Sequence, residues 1–159
     1  MPLNTEYVST FLQENDIQGE VLRLGDHVST VEAAATALGV SPESIVKSVI
    51  FLAGGEPVLV ITNGTTRIDV GRLADYLGIA RKHIGLADAS AVLELTGFRV
   101  GGVPPFGHKT RLRTLIDHRV LDQPEIYAGA GSAKAVLQIV PAEIVRVTDA
   151  EIIRLAGRA

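Results

Sequence analysis

Two apolar runs joined by a Gly-Gly turn constrain the fold of this chain most strongly. The runs extend from Val46 to Ala53 and from Pro57 to Thr62, and Ala53-Gly54-Gly55-Glu56 lies between them. Runs rich in β-branched residues on either side of a Gly-Gly pair are typical of a β-hairpin. Because both runs are almost continuously apolar, we expect them to be central strands of a sheet.

Helix and strand signals are mixed along the rest of the chain. Helix starts are predicted at Thr5, at Ser29 or Thr30, at Asp69 and at Asp88, each before an apolar pattern of helical period. A helix opened by Pro141 and a C-terminal helix over Asp149 to Leu155 are also predicted. Further strands are predicted at Glu20–Leu24, Ala80–Ile84, Leu112–Asp117, Glu125–Ala128 and Ala135–Val140. Without a regular βαβ alternation, this order favours an α+β fold with a mixed, largely antiparallel sheet.

Length and composition exclude several classes of protein. The 159 residues predict one domain over residues 1–159, and the absence of cysteine excludes disulfides, thiolate catalysis and cysteine-zinc sites. Met1 to Glu14 lacks the pattern of a signal peptide, and no apolar run has the length of a membrane span. We therefore expect a cytoplasmic protein with no membrane partner. The net charge of −3 argues against a protein that coats nucleic acid over its whole surface, but not against a local basic face.

A loop rich in glycine and proline, Gly101 to His108, is the first candidate functional segment. Gly101 and Gly102 permit backbone angles closed to other residues and let another molecule approach the main chain. Pro104 and Pro105 fix φ and remove two amide donors, and Val103 is pushed towards extended geometry. A stiff loop with backbone groups in fixed directions suits ligand recognition or an oxyanion site. A rigid corner that binds nothing is the alternative interpretation.

Lys47 is the most informative single residue. It lies at the start of an otherwise apolar predicted strand, between Val46 and Ser48. Lysine seldom belongs in such a run unless its ammonium group reaches a solvent-filled cleft or a partner. Lys47 is therefore either a cation that binds an anionic or carbonyl group of a ligand, or a lysine whose stem packs at a strand end.

The sequence lacks the common metal-site and hydrolase motifs, and its one partial dinucleotide motif is not followed by the helix that such a motif requires. The four histidines have no HExxH or closely paired spacing, and no serine lies in a Gly-x-Ser-x-Gly elbow. Gly129-Ala130-Gly131 leads into a predicted strand, whereas a dinucleotide fingerprint leads into a helix. Basic residues in the middle of the chain are either solvated surface or, with Lys47, a phosphate-binding face. These are Arg67, Arg72, Arg81, Lys82, Lys109, Arg111 and Arg113.

The order and spacing of these motifs resemble a known family. The matching residues are Thr30-Val31-Glu32-Ala33-Ala34, Ile45-Val46-Lys47-Ser48, Asp69, Leu95-Thr96-Gly97, Gly101 to Gly107, and Tyr127 with Gly129 and Gly131. Together they resemble the YbaK/ProX-like family of aminoacyl-tRNA editing domains, which includes the editing domain inserted in bacterial prolyl-tRNA synthetases. The resemblance implies a barrel-like, largely antiparallel central sheet flanked by helices. It also implies a trans-acting deacylase of mischarged tRNA, without metal or cofactor.

The resemblance assigns roles to individual residues. Lys47 would bind near the ester and the terminal adenosine, and backbone groups of Gly101 and Gly102 would position the carbonyl and the attacking water or ribose hydroxyl. The further residues expected to contact substrate are His27, Thr30, Ser48, Val103, Pro104, Pro105, Phe106, His108, Gly129 and Gly131. No side-chain general base is evident, so catalysis would depend on positioning and backbone electrostatics.

The sequence leaves more than one candidate for the substrate and for the partners. Relatives specific for cysteine carry Ser and Asp where this chain has Gly129 and Val136, so alanine, serine or threonine on proline tRNA is as good a candidate as cysteine. Prolyl-tRNA synthetase is a candidate partner, and the protein is expected to be a monomer or a homodimer. The alternatives are a tRNA- or synthetase-binding module of the same fold without turnover, and a small-molecule binder that uses the same cleft.

Overall fold

The computed structural model describes residues 2–25 and 30–155. Within these ranges the chain forms five α-helices and eight β-strands. The helices are α1 (Thr5–Glu14), α2 (Val31–Leu38), α3 (Val70–Leu77), α4 (Ala89–Thr96) and α5 (Pro141–Thr148). The strands are β1 (Gly19–Arg23), β2 (Val46–Ala53), β3 (Glu56–Asn63), β4 (Ile84–Leu86), β5 (Arg113–Asp117), β6 (Ile126–Gly129), β7 (Ala135–Ile139) and β8 (Glu151–Ile153).

The predicted hairpin forms the centre of the larger sheet. β2 and β3 pair antiparallel along their whole length, and Gly54 and Gly55 connect them with φ values of 60° and 86°. Positive φ at both turn residues is what a tight hairpin turn requires, which explains the Gly-Gly pair. The strands are buried on both faces: Leu59 and Ile61 lie in one core, while Val60 lies in another. Burial on two faces accounts for the continuous apolar runs.

Two sheets make up the β-structure. The larger has the strand order β4-β2-β3-β5-β8, with β5 parallel to both β3 and β8 and the other pairs antiparallel. The smaller has the order β1-β7-β6 and is antiparallel throughout. One parallel bridge between Ile45 and Tyr127 brings the start of β2 beside β6. The mixed, largely antiparallel architecture predicted from the sequence is confirmed.

The barrel-like shape implied by the resemblance is not found. In the part of the chain that the structure describes, β4 and β8 end the larger sheet, so it is not closed into a barrel. Both are edge strands of three residues. The main apolar core fills the space between the two sheets, and a second core lies between the larger sheet and α3.

The helix termini follow the capping signals in the sequence. Thr30, Asp69 and Asp88 each accept a hydrogen bond from a backbone N–H in the first turn of the following helix, as N-caps do. For α1 the cap is Asn4, whose side chain accepts from Tyr7 N at 3.0 Å. The predicted cap, Thr5, is instead the first residue of this helix and is buried.

Two secondary-structure predictions are wrong. Residues Arg81–His83 form a 3₁₀ turn, and the strand predicted over Ala80–Ile84 starts only at Ile84. The predicted C-terminal helix is the strand β8, since Asp149 ends α5 with φ 55° and Glu151–Ile153 then pairs with β5. β8 has only three residues, of which Ile152 and Ile153 are apolar, and so short a segment shows no period that separates a strand from a helix.

A buried carboxylate fixes the end of β8. Asp117 has no exposed surface, and its Oδ2 accepts a hydrogen bond from Leu155 N at 2.8 Å. Its Oδ1 accepts from Arg119 N at 2.9 Å and so caps the 3₁₀ turn that follows β5. Buried carboxylates are retained where backbone N–H groups satisfy them. Asp117 therefore connects the end of β5 to the chain beyond β8.

Candidate active site

The Gly-Pro loop is held in one conformation by its own hydrogen bonds. Gly102 N donates to Arg99 O at 3.2 Å, which closes a tight turn, and Gly101 within that turn has φ 97°. At the other end of the loop, the His108 ring Nε2 lies 2.7 Å from Pro104 O and donates to it. The stiffness that the sequence predicts thus comes from these two hydrogen bonds as well as from the prolines.

Close backbone contacts dock this loop against the turn between β6 and β7. Gly131 N donates to Gly102 O at 2.7 Å. A Cβ on Gly102 would lie 2.7 Å from Ser132 N, and a Cβ on Gly129 would overlap the Val103 carbonyl oxygen and lie 2.8 Å from Val103 C. Side chains at either position would push the two segments apart, so glycine is required for contact.

A cavity of about 400 Å³ lies between the loop, the exposed edge of β2 and the smaller sheet. One wall is the Val46–Ile50 edge of β2, which is open because β4 pairs only with Phe51–Ala53. A second wall comes from α2 and from β6 and β7, and a third from β4, α4 and the turn at Gly101. This volume is typical of a small-ligand site.

Lys47 lines this cavity together with Gly101. The Lys47 side chain is exposed and forms no ion pair with any residue in the described ranges. Val46 before it is buried, and Thr62, its partner on β3, has no exposed surface. A cation without a protein counter-ion beside an apolar cavity is available to bind negative charge on a ligand.

Several polar groups of the cavity have no partner within the protein. Ser48 Oγ is buried without a hydrogen bond to any described residue. The N–H groups of Gly101 and Val103 likewise have no acceptor in residues 2–25 and 30–155. A buried polar group without a partner costs free energy, so a ligand or solvent is expected to satisfy Ser48 Oγ and the N–H of the buried Val103. Gly101 is exposed, so its N–H is open to either. In contrast, Thr30 Oγ1 already accepts from Ala33 N at 3.1 Å.

The residues predicted to contact substrate are only partly brought together. Thr30, Lys47, Ser48, Gly101, Val103 and Gly129 line the cavity. Gly102 does not, and its N–H and C=O are both hydrogen-bonded within the protein, so its role is to permit close packing. Gly131 also lies outside the lining. It has φ 87°, and a Cβ there would lie 2.8 Å from Asn4 C. His27 lies outside the described residues.

The second half of the loop points away from the cavity. Pro104 and Phe106 are buried, and Phe106 stacks on Phe11 with ring centroids 5.6 Å apart. Pro105, Phe106 and His108 line a separate, smaller cavity of about 190 Å³. These residues hold the loop on the core. Their positions favour a packing role over contact with the substrate.

Burial keeps the His108 imidazole neutral near pH 7. Desolvation lowers the pKa of His108 from its ordinary value of 6.5, and the hydrogen bond to Pro104 opposes this only in part. Because the folded state binds the proton less readily than the unfolded chain, the stability that His108 confers is present above pH 6.5 and is lost as pH falls below it. The free energy of unfolding should therefore fall between pH 7.5 and 5.5.

The variant His108→Gln isolates this contribution, since the Gln amide can still donate to Pro104 O but does not titrate. We expect a smaller loss of stability between these pH values in the variant than in the wild type. Urea unfolding at each pH measures both. Equal losses in the two proteins would contradict the neutral, buried imidazole.

Tyr127 is also neutral where it borders the cavity. Burial, with the nearby Glu125 carboxylate, raises the pKa of the Tyr127 hydroxyl. Tyr127 is one of the residues that carry the family resemblance, but it was not predicted to be a site residue.

Leu86 and Val100 also line the cavity and were not predicted to be site residues. Neither gave a sequence signal, because one ends a three-residue strand and the other lies in a turn.

The predicted basic face is divided by ion pairs. Arg72, Arg111 and Arg113 pair with Asp69, Asp149 and Glu151, and Arg113 makes two hydrogen bonds to its carboxylate. These cations are partly neutralised by carboxylates. The other four, Arg67, Arg81, Lys82 and Lys109, form no ion pair with a described residue. A phosphate-binding face that uses all seven residues is therefore not supported by their environments.

The described residues provide neither a membrane-spanning helix nor a cluster of metal ligands. Residues 2–25 and 30–155 contain no helix long and apolar enough to cross a membrane. The same residues contain no cluster of three or more His, Asp or Glu side chains that could hold a metal ion.

The fold and the sequence together define the family. Residues 26–147 match the model of the aminoacyl-tRNA editing domain, and the chain belongs to this family. A crystal structure of a candidate trans-editing enzyme for prolyl tRNA synthetase superposes with a TM-score of 0.90 at 31% identity, over 97% of both chains. The α+β fold predicted from the sequence is the fold of that protein.

Curated relatives are similar over most of this chain. The proline–tRNA ligase of Thermoanaerobacter sp. (strain X514) is 28% identical over 128 residues, which are 80% of this chain. The chain spans only about a fifth of that ligase, 21% of its length. The uncharacterized protein YwhH of Bacillus subtilis (strain 168) is 27% identical over 143 residues, 89% of each chain.

Proposed function

We propose that this protein is a trans-acting aminoacyl-tRNA deacylase that hydrolyses the ester of mischarged tRNA. One observation carries the proposal. The ammonium group of Lys47 and the N–H of Gly101 belong to residues of one cavity, and neither group has a partner within the described residues. Two unused donors on a preformed cavity suit a carbonyl oxygen that becomes negative during the reaction.

The reaction requires donors more than it requires a side-chain base. Water attacks the ester carbonyl carbon, and the carbonyl oxygen acquires negative charge that Lys47 and Gly101 stabilise. The bond from that carbon to the ribose oxygen then breaks, and the proton lost by water ends on the ribose hydroxyl. No His, Asp or Glu is present among the described residues that line the cavity. Positioning and electrostatic stabilisation would therefore supply the rate enhancement, with water or the neighbouring ribose hydroxyl assisting the attack.

The substrate class proposed is proline tRNA that carries a small wrong amino acid. Support comes from the relatives, which are proline–tRNA ligases and a candidate trans-editing enzyme for prolyl tRNA synthetase. A synthetase site built for proline rejects smaller residues weakly, because a missing methylene is worth only about 1–3 kcal/mol. Alanine, cysteine, serine and threonine are the candidates. Gly129 and Val136 line the cavity and add no polar side chain to it, which favours alanine.

A panel of mischarged tRNAs tests this function. Proline tRNA charged with alanine, cysteine, serine, threonine or proline is incubated with the protein, and release of the labelled amino acid is measured. We expect rapid release of one small amino acid and no release of proline. Binding of the tRNA without release of any amino acid would instead support a non-catalytic tRNA-binding module.

A further inference from the structure

Two exposed aliphatic side chains lie on the cavity that the proposed function uses. Among the large hydrophobic residues in the described ranges, Leu86 and Val100 are the most exposed, at 67% and 63%. The next most exposed, Ile152, is at 51% and belongs to β8, away from this cavity. Single exposed hydrophobic residues need no explanation, but two on the same site indicate an apolar contact surface.

Backbone hydrogen bonds hold both residues in place. Leu86 ends β4 opposite Phe51, and the next residue, Ala87, donates its N–H to Ile50 O at 3.0 Å. Val100 lies in the turn closed by Gly102 N and Arg99 O at 3.2 Å. The surface is therefore preformed, so a ligand would not have to order it on binding.

Two cations without an ion pair belong to the cavity or to the turn that carries Val100. Arg99, beside Val100 in the turn, is exposed and forms no ion pair with a described residue. Lys47 lines the same cavity and is likewise unpaired. A small apolar surface with positive charge beside it is complementary to a nucleotide, which has a flat ring next to an anionic phosphate. A protein partner would need a much larger apolar area than two side chains supply.

We propose that Leu86 and Val100 form a platform for the base of the 3′-terminal nucleotide of the tRNA, with Arg99 bound to a phosphate of the same strand. This inference rests on the proposed function, because it places the ester of that nucleotide between Lys47 and Gly101. Binding the base would fix the ribose, and the ribose carries the aminoacyl group. Leu86 and Val100 are thus binding residues that set the affinity for the acceptor end.

The test measures binding of AMP and of ribose 5-phosphate, which differ by the base and need no turnover. We expect the wild type to bind AMP about tenfold more tightly than ribose 5-phosphate, because the base buries a modest apolar area on Leu86 and Val100. In the double variant Leu86→Ala/Val100→Ala the preference should fall to about twofold. The control Ile152→Ala, on β8, should keep the full preference. Arg99→Gln should weaken AMP but not adenosine.

Equal affinities for the two probes in the wild type would overturn the proposal, and so would a preference that survives in the double variant. Binding of a tRNA minihelix separates the tRNA terminus from a free nucleotide. The double variant should bind the complete minihelix less tightly than the wild type does, and the difference should vanish when the terminal nucleotide is removed. A difference that persists without that nucleotide would overturn the assignment. These measurements stand even if the panel of mischarged tRNAs shows no release.

Discussion

Replacing Lys47 by alanine should lower the rate of tRNA deacylation by at least about 100-fold, the usual effect of removing one donor to a developing oxyanion. The side chain lines an apolar cavity and has no ion-pair partner among the described residues, so its charge is available to the ester. The loss should appear mainly in kcat, since the donor acts on charge that forms in the transition state. Single-turnover release of the amino acid measures this effect.

Two further variants make the Lys47 result specific. Lys47→Met keeps the apolar stem and removes the charge, so it should lose activity as Lys47→Ala does. Lys82→Ala removes an exposed lysine in the 3₁₀ turn before β4, outside the cavity, and should retain activity within about twofold. Activity in Lys47→Met near the wild-type level would show that the ammonium group is not the functional part of this residue.

Replacing Gly129 by alanine should destabilise the protein by about 3 kcal/mol, at the upper end of the usual cost of overpacking. The added Cβ would overlap the Val103 carbonyl oxygen and lie 2.8 Å from Val103 C. Both are backbone atoms, which cannot move aside as the end of a side chain can. Gly129 does not have a positive φ, so the effect would be steric rather than conformational. Urea unfolding gives the free energy.

Gly85 provides the matched control for Gly129. It lies in β4 without a positive φ, and a Cβ there would meet nothing within 4 Å. Gly85→Ala should change the free energy of unfolding by about 0.5 kcal/mol or less. Gly129→Ala should also slow deacylation, because moving the Val103 backbone displaces the nearby Gly101 amide. A midpoint of unfolding for Gly129→Ala equal to that of Gly85→Ala would contradict the close contact.

Local signals in the sequence predicted much of the fold correctly. The hairpin of β2 and β3 follows from two apolar runs around Gly54-Gly55, and α2, α3 and α4 follow from their caps. These features depend on neighbouring residues, which one sequence displays in full. The strand β8 was missed because its stability comes from pairing with β5, more than thirty residues earlier in the chain.

The sequence by itself determined the central hairpin, the starts of α2, α3 and α4, the stiff loop and the family that the motifs resemble. Only the tertiary structure decided which of those motif residues share a cavity: it places Lys47, Ser48 and Gly101 together and turns Pro105, Phe106 and His108 to another side of the loop. It also showed that Gly102 permits packing and that Leu86 and Val100 border the site. The physical reason is that turns and caps depend on adjacent residues, whereas a cavity depends on contacts between distant segments.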